Sequence, residues 1–378
     1  MKIEDLALQR SKYKHLTDDE WRWFLQQEEG KERTAEKLPT FATIEDWWYP
    51  VRLSCEQCSS ELAARYKASL VSGETMVDLT GGYGVDTYFL SEGFKHTDYV
   101  EQNAELCRIA THNFNVQRDN VQSTKVSIHN TSAEEFLKTA GQYDLIFLDP
   151  ARRDSHGGKV FRLEDCTPNV VELLPTLLAH GKRLMIKLSP MLDLSQAIRE
   201  LSLVHRTSVL RTLSWDIYVV AIKNEVKEVL LLSGGSGQIT AVDLDKKDQA
   251  FTFIREEEQK AMYDAQCTMY NYLYEPNAAI LKAGAYKLIA QRFDLKKLDV
   301  NTHLYGSETL IENFPGRVWR ITEKQDLKQA NVLCRNYPLT PEQVKKKLHL
   351  RDGGTAFVIG CRVHSKPTLF YAERVTFA

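Results

Sequence analysis

The chain has 378 residues, 43% of them apolar and 26% charged, with 19 Gly and 11 Pro, which is room for two or three domains and excludes a disordered, collagenous or coiled-coil chain. No run approaches the ~18 to 20 apolar residues of a membrane span, and MKIEDLALQRSKYKH carries charges where a signal peptide needs an apolar core, so no membrane partner and a cytoplasmic location are expected. The net charge of -2 hides a split: from Asn271 onward there are 17 Lys and Arg against 10 Asp and Glu, whereas the preceding residues are acidic, and a basic C-terminal region suits a polyanion.

Along the chain, LTDDEWRWFLQQEEG predicts a helix with Thr17 or Asp18 as its cap, and SSELAARYKASL predicts another. KLPTFATIEDWWYPVRLS between them is punctuated by proline and rich in aromatics, so residues 1–70 are expected as a helical region. After Gly73 the pattern changes. TMVDLT, TDYVE, STKVSIHN, YDLIFLDP and RLMIKLSP read as buried strands, and their alternation with helical stretches such as Asn103 to Val116 implies parallel βαβ units in a doubly wound α/β sheet. TSVLRTLSW, IYVVAI and EVLLLSG complete one edge, and SGGSGQ at Ser233–Gln238 marks the expected end of this 71–235 domain. Residues 236–270 are expected to link onward through a helix in IREEEQKAMYDAQCTMYNYL. AAILKAGAYKLIAQRF, RVWRIT and TAFVIGCRV then predict small α+β units.

The first strand runs into Val77-Asp78-Leu79-Thr80-Gly81-Gly82-Tyr83-Gly84, directly before a helix. Glycines there let the backbone approach a ligand, and the helix start offers free N–H groups. The dinucleotide fingerprint G-x-G-x-x-G fails, because Thr87 stands where its third glycine belongs. The pattern that fits is D-x-x-x-G-x-G with a second acid, Glu101, ending the next strand, where a carboxylate accepts ribose hydroxyls. A nucleoside ligand is implied.

At these residues the chain resembles the class I S-adenosylmethionine-dependent methyltransferases, over roughly Thr75 to Pro190. The resemblance implies a Rossmann-like sheet and S-adenosyl-L-methionine as cofactor. It implies cofactor contacts from Asp78, Thr80, Gly82, Gly84, Val85 and Asp86, from Glu101 and Gln102 at the ribose, and from Ser132 and Ala133 at the adenine, although an Asp is more usual at Ser132. Asp149-Pro150-Ala151-Arg152 falls on the family's D/N-P-P-Y/F motif, which makes Asp149, Pro150 and Arg152 the catalytic candidates and Asp149 a cofactor neighbour as well. Arg152 replaces the usual aromatic. With Arg153 it can stack on a base or bind phosphate, and Lys187 on the same rim serves either substrate contact or a structural ion pair.

DLTGGYGVDTYFL is also similar to the first motif of the bacterial small-subunit rRNA guanine-N2 methyltransferases, with Asp86 as the acid after the glycine turn. LSCEQCSSELAARYKASL, YDLIFLDPARRD and NVLCRNYPLTPEQVKKKLHLRDGG resemble a bacterial methyltransferase group that carries a ferredoxin-like module, placed here at 271–317, and a THUMP-like domain, placed at 318–378. Taken together, these resemblances imply transfer of a methyl group (EC 2.1.1 class) to a base nitrogen of structured RNA, rRNA or tRNA. Lys345, Lys346, Lys347, Trp215 and Trp319 are candidate RNA contacts. Two other readings stand beside this one: a non-catalytic RNA-binding protein with a vestigial cofactor site, and a nicotinamide-dependent dehydrogenase. Cys55-x-x-Cys58 has no second pair and the remaining cysteines lack ligand spacing, so no metal is expected.

Overall fold

The computed structural model describes residues 3–120, 125–152, 163–206, 214–245, 250–263, 270–324 and 326–377. The chain forms two compact units, one of Met1–Ser214 with Leu230–Gly234, the other of Trp215–Val229 with Gly235–Ala378. No described helix is long and apolar enough to cross a membrane.

The first unit begins with helices α1 (Asp18–Thr34), α2 (Arg52–Gln57) and α3 (Glu61–Ser69). The cap of α1 is Thr17: its Oγ1 accepts from Glu20 N, and Glu20 Oε2 accepts from Thr17 N at 2.7 Å, a reciprocal capping box. Ser60 caps α3. Then follow β1 (Gly73–Asp78), α4 (Val85–Ser91), β2 (Phe94–Glu101), α5 (Ala104–Asn120), β3 (Lys125–Asn130), α6 (Ala133–Leu137), β4 (Tyr143–Leu148), α7 (Val170–His180), β5 (Gly181–Leu188) and α8 (Leu194–Arg206).

The five strands are parallel in the order β5-β4-β1-β2-β3. The chain winds outward from β1 through β2 and β3, then returns to the other side of β1 with β4. That reversal places a crevice at the carboxyl end of β1, where open α/β sheets take ligands. Met76, Val77, Tyr99, Val100, Ile146, Phe147 and Ile186 are buried, as strands covered on both faces require. The aromatic stretch between α1 and α2 packs into the same core: Leu38, Phe41, Trp47 and Tyr49 cluster with Tyr83, Tyr88, Phe89, Tyr99 and Phe114. Trp47 Nε1 donates to Tyr83 Oη at 2.9 Å, so the N-terminal region props up the glycine turn.

The second unit contains β6 (Trp215–Ile222), the first part of β7 (Glu225–Ser233), β8 (Gln238–Asp243), β9 (Ala250–Ile254) and α9 (Arg255–Lys260). Lys223 and Asn224, both at positive φ, make the tight turn between β6 and β7. The expected domain end at Ser233–Gln238 is corrected here, because the chain returns as β8, parallel to β6, and β9 then pairs antiparallel with β8. Asp216 explains the glycines. Its Oδ1 accepts from the backbone N–H groups of Ser236, Gly237 and Gln238 at 2.9 to 3.0 Å, and a Cβ on Gly235 would stand 2.1 Å from Asp216 Cγ. The segment is an anchored turn rather than a linker. The helix expected from Ile254 onward is realised as α9, and residues 264–269 lie outside the described residues.

The chain continues through β10 (Tyr272–Pro276), α10 (Ala278–Ala283), α11 (Leu288–Arg292), β11 (Lys296–Asp299), β12 (Thr302–Ser307), β13 (Gly316–Thr322), β14 (Asn331–Arg335), α12 (Pro341–Lys347), β15 (Ala356–Val363) and β16 (Lys366–Val375). These strands form one seven-stranded sheet in the order β11-β12-β10-β13-β16-β15-β14. The stretches read separately as 271–317 and 318–378 are therefore joined by main-chain ladders, with β13 paired to β10 on one side and β16 on the other.

Candidate active site

A cavity of about 330 Å³ opens at the carboxyl ends of the parallel strands. Its wall brings together Asp78, Thr80, Gly82, Gly84, Val85, Asp86, Glu101, Gln102, Ser132, Ala133, Asp149 and Lys187, which the sequence places far apart. Such a volume suits a small organic ligand, since binding pockets run from about 300 to 1,000 Å³.

The turn is built from the inside. Asp78 Oδ1 accepts from Thr80 N at 2.9 Å and Oδ2 from Thr87 Oγ1 at 2.6 Å. The carboxyl is buried, which pushes its pKa up to about 7 against the opposing pull of Thr87 and Thr80. Asp78 thus organises the loop with both oxygens turned inward. Gly81 lies against Tyr99, where a Cβ would come within 2.1 Å of the ring, and Gly82 and Gly84 adopt φ of +56° and +84°. Tyr99 Oη donates to Gly82 O at 2.5 Å. Glu101 faces the turn from β2: its Oε2 accepts from Gly82 N at 2.9 Å and its Oε1 from Asn103 N at 2.8 Å. Ser132 is the cap of α6, its hydroxyl accepting from Glu135 N.

Deeper in the wall is a charge network that the sequence reading did not contain. Lys67, from α3, is 0% exposed; its Nζ lies 3.2 Å from Asp86 Oδ1 and donates to Ser59 Oγ. Asp86 Oδ2 accepts from Ser59 Oγ at 2.8 Å and meets Lys187 Nζ at 3.4 Å. Lys187 then bonds to Asp149 Oδ2. Burial opposes a charge on Asp86, but Lys67, Lys187 and Ser59 outweigh it and hold the carboxyl below the usual carboxylate range. Asp86 is therefore engaged by lysines as well as lining the cavity, and Lys187 forms the ion pair that was one of its two expected roles. Asp149 is anchored by its backbone too, its N–H donating to Thr80 Oγ1 at 2.7 Å.

Ser54, Gln57, Cys58 and Ser59 also line the cavity, supplied by α2 and the loop after it. Cys55 and Cys58 are free thiols, and burial raises both, Cys55 to about 12. Other expected residues are not gathered here. Pro150 lies off the wall. Arg152 sits in the two-residue strand Ala151–Arg152, paired with Cys166–Thr167, and its side chain and the whole of Arg153 fall outside the described residues. Lys345, Lys346 and Lys347 belong to α12 in the second unit, with Lys345 paired to Asp352 at 2.8 Å and the other two exposed. Trp215 and Trp319 are corrected: both are buried, Trp319 completely, because alternation along their strands turns them into the core, and neither ring offers a face to a base.

Comparison with known proteins gives a consistent picture. Residues 272–315 match the profile of a ferredoxin-like domain and residues 316–374 that of a THUMP domain-like family. A Porphyromonas gingivalis W83 protein classed as a methyltransferase is 30% identical, with a TM-score of 0.84 over 96% of this chain and 92% of that one. A Streptococcus mutans protein likewise classed, solved in complex with SAH, is 13% identical over 46% of this chain and 95% of its own, with a TM-score of 0.32. A Streptococcus thermophilus rRNA methylase is 14% identical over 46% and 93%, with a TM-score of 0.30. No curated protein matches the chain. With the P. gingivalis protein alike along nearly its whole length, the strand order, the glycine turn and the two C-terminal profiles agree, and the chain belongs to the class I S-adenosylmethionine-dependent methyltransferases, in the bacterial group that carries a ferredoxin-like module and a C-terminal THUMP-like domain.

Proposed function

We propose that this methyltransferase uses S-adenosylmethionine to methylate a nitrogen of an RNA base. The observation that carries the reading is Glu101, a carboxylate held by two backbone N–H groups beside the glycine turn, at the strand end from which an acid accepts both ribose hydroxyls. The surroundings fit the group. A Cβ at Gly82 would meet nothing nearer than Thr80 O at 3.7 Å, so the turn leaves open space for a ligand, and Ser132 and Ala133 flank the place of an adenine. A nicotinamide cofactor fits less well, since the position of the third glycine is filled by Thr87, whose hydroxyl is committed to Asp78.

When bound, the sulfonium supplies an already reactive methyl group, so the protein's contribution is mainly alignment. Asp149 is suited to that task. Lys187 holds its Oδ2, while Oδ1 accepts no hydrogen bond from a described residue and is available for an amino group of the target. A base reaching it must leave its stack. The THUMP-like region and the basic charge after Asn271 support RNA as the carrier of that base.

Single-turnover transfer of labelled methyl to total bacterial RNA tests the reading, with cofactor affinity measured alongside by calorimetry. Asp149→Ala is expected to slow transfer by about a hundredfold or more while cofactor affinity changes little, because the lost contact serves only reactive geometry. Near-normal transfer by the folded variant refutes the role of Asp149. Tight cofactor binding with no transfer to any RNA by the unaltered protein favours the non-catalytic reading.

A further inference from the structure

The second unit holds a group of arginines around one buried carboxylate. Glu275, in β10, is 2% exposed, and both its oxygens are taken: Oε2 by Arg317, through Nε at 2.8 Å and through Nη2, and Oε1 by Arg335. Arg317 and Arg374 both stand over the ring of Trp319, their guanidinium carbons 5.5 and 5.2 Å from its centroid. Strand register explains the convergence. Glu275 faces Arg317 and Leu273 faces Trp319 across β10 and β13, and Trp319 faces Arg374 across β13 and β16. Leu273, Trp319 and Ala372 belong to one core cluster with Leu333 packed against it, and residues two apart share a face, so Glu275, Arg317, Arg374 and Arg335 extend that face beyond the apolar core.

The charges do not balance. Three guanidiniums surround one carboxylate, and Arg374 makes no hydrogen bond or ion pair with any described residue. Burial and the neighbouring Arg317 pull its pKa down to about 10, the mark of a cation lacking its counter-ion. A half-buried fork of donors without an acceptor calls for a partner. Arg317 and Arg335 remain partly open to solvent, at 28% and 39%, so a ligand can reach the group.

We propose that Arg317, Arg335 and Arg374 form a phosphate-binding site, with the RNA backbone as the source of the phosphate. Glu275 fixes the first two guanidiniums in place, which leaves their remaining N–H groups oriented for a tetrahedral anion that matches the arginine fork. The third supplies the charge that has no partner. The surrounding chain from Asn271 onward carries an excess of seven positive charges and attracts a polyanion over a small anion. The choice of RNA rests on the methyltransferase reading above; the anion site itself does not.

The test uses the full chain, Arg374→Gln and Arg374→Lys, with a fluorescent oligoribonucleotide of about 12 nucleotides and, separately, pyrophosphate. Arg374→Gln is expected to weaken oligonucleotide binding about ten- to a hundredfold and to reduce the salt slope by about 0.7, while cofactor binding stays unchanged. Arg374→Lys should fall between the two, retaining charge without the fork. Should Arg374→Gln fail to fold, Arg335→Gln at the more exposed position is read the same way. Equal affinity and slope in folded variants overturn the site even if methyl transfer to RNA is robust. Loss of pyrophosphate binding in Arg374→Gln, with RNA neither bound nor methylated, keeps the anion site and removes RNA; no binding of either probe by the unaltered protein overturns the proposal.

Discussion

Replacing Lys67 with Met tests whether the buried network bears on stability as its geometry requires. Lys67 is fully buried, 3.2 Å from Asp86, and Met keeps its length while removing the charge. Removing one partner of a buried ion pair costs about 3 to 5 kcal/mol, because the other charge is left in a poorly polarisable interior. Two facts reduce that figure. Lys187 remains 3.4 Å from the other Asp86 oxygen, and the Met side chain is itself favourably buried. A loss of about 2 to 3 kcal/mol is therefore expected in urea unfolding. The pH profile should shift in parallel. With its lysines Asp86 is held below the usual carboxylate range, so its stabilisation is present above pH 3.8 and lost as pH falls through the lower folded value. Without Lys67 the loss on acidification begins at higher pH. A double-mutant cycle with Asp86→Asn isolates the pair: the double variant should be more stable than the sum of the single effects by at least about 1 kcal/mol. Additivity within about 0.5 kcal/mol would show that the two residues are merely neighbours.

Glu101→Ala should weaken S-adenosylmethionine binding about ten- to a hundredfold by calorimetry, since it removes a charged acceptor and frees the Gly82 N–H that now orients the turn. Unchanged affinity in a folded variant removes Glu101 from the site. Asp78→Asn should gain stability relative to the parent as pH rises from 5 to 8. The Asp78 carboxyl binds its proton more tightly folded, at about 7, than at its ordinary 3.8, so the parent loses stability across that window and the variant does not. A difference in melting temperature that stays constant with pH contradicts the burial of that charge.

The parallel sheet was legible because both its faces are covered. Runs such as YDLIFLDP and RLMIKLSP are continuous rather than alternating, and β4 and β5 are buried along their carboxyl halves accordingly. The glycine turn was legible for a related reason: positive φ at Gly82 and Gly84, and the closeness of Tyr99 to Gly81, restrict those positions to one residue type. SGGSGQ shows where composition misleads. Glycines that serve a linker and glycines that let a chain fold tightly over a carboxylate are the same letters, and the three N–H groups gathered by Asp216 come from 20 to 22 residues further along the chain.

The site divides along the same line. Glu101 and Asp149 stand at strand ends, positions that follow from the order of strands alone, and both face the cavity. Lys67 sits inside a good helix-forming stretch whose periodicity says nothing of where its amine points, and Lys187 reaches Asp86 across 101 residues. The Arg317, Arg335 and Arg374 group is harder still, because its members lie on three strands and meet only through the register of β10, β13 and β16 and the reach of Arg335 to Glu275. Backbone-determined positions are therefore readable from patterning, whereas charge-determined ones depend on pairings that patterning does not contain. The distinction matters for Asp149, whose place is given by the end of β4 but whose free oxygen is defined by Lys187, and through it by Asp86 and a lysine on the third helix. A D-P-A-R motif lacking the usual aromatic thus gains its geometry from a region of the chain that the motif does not include.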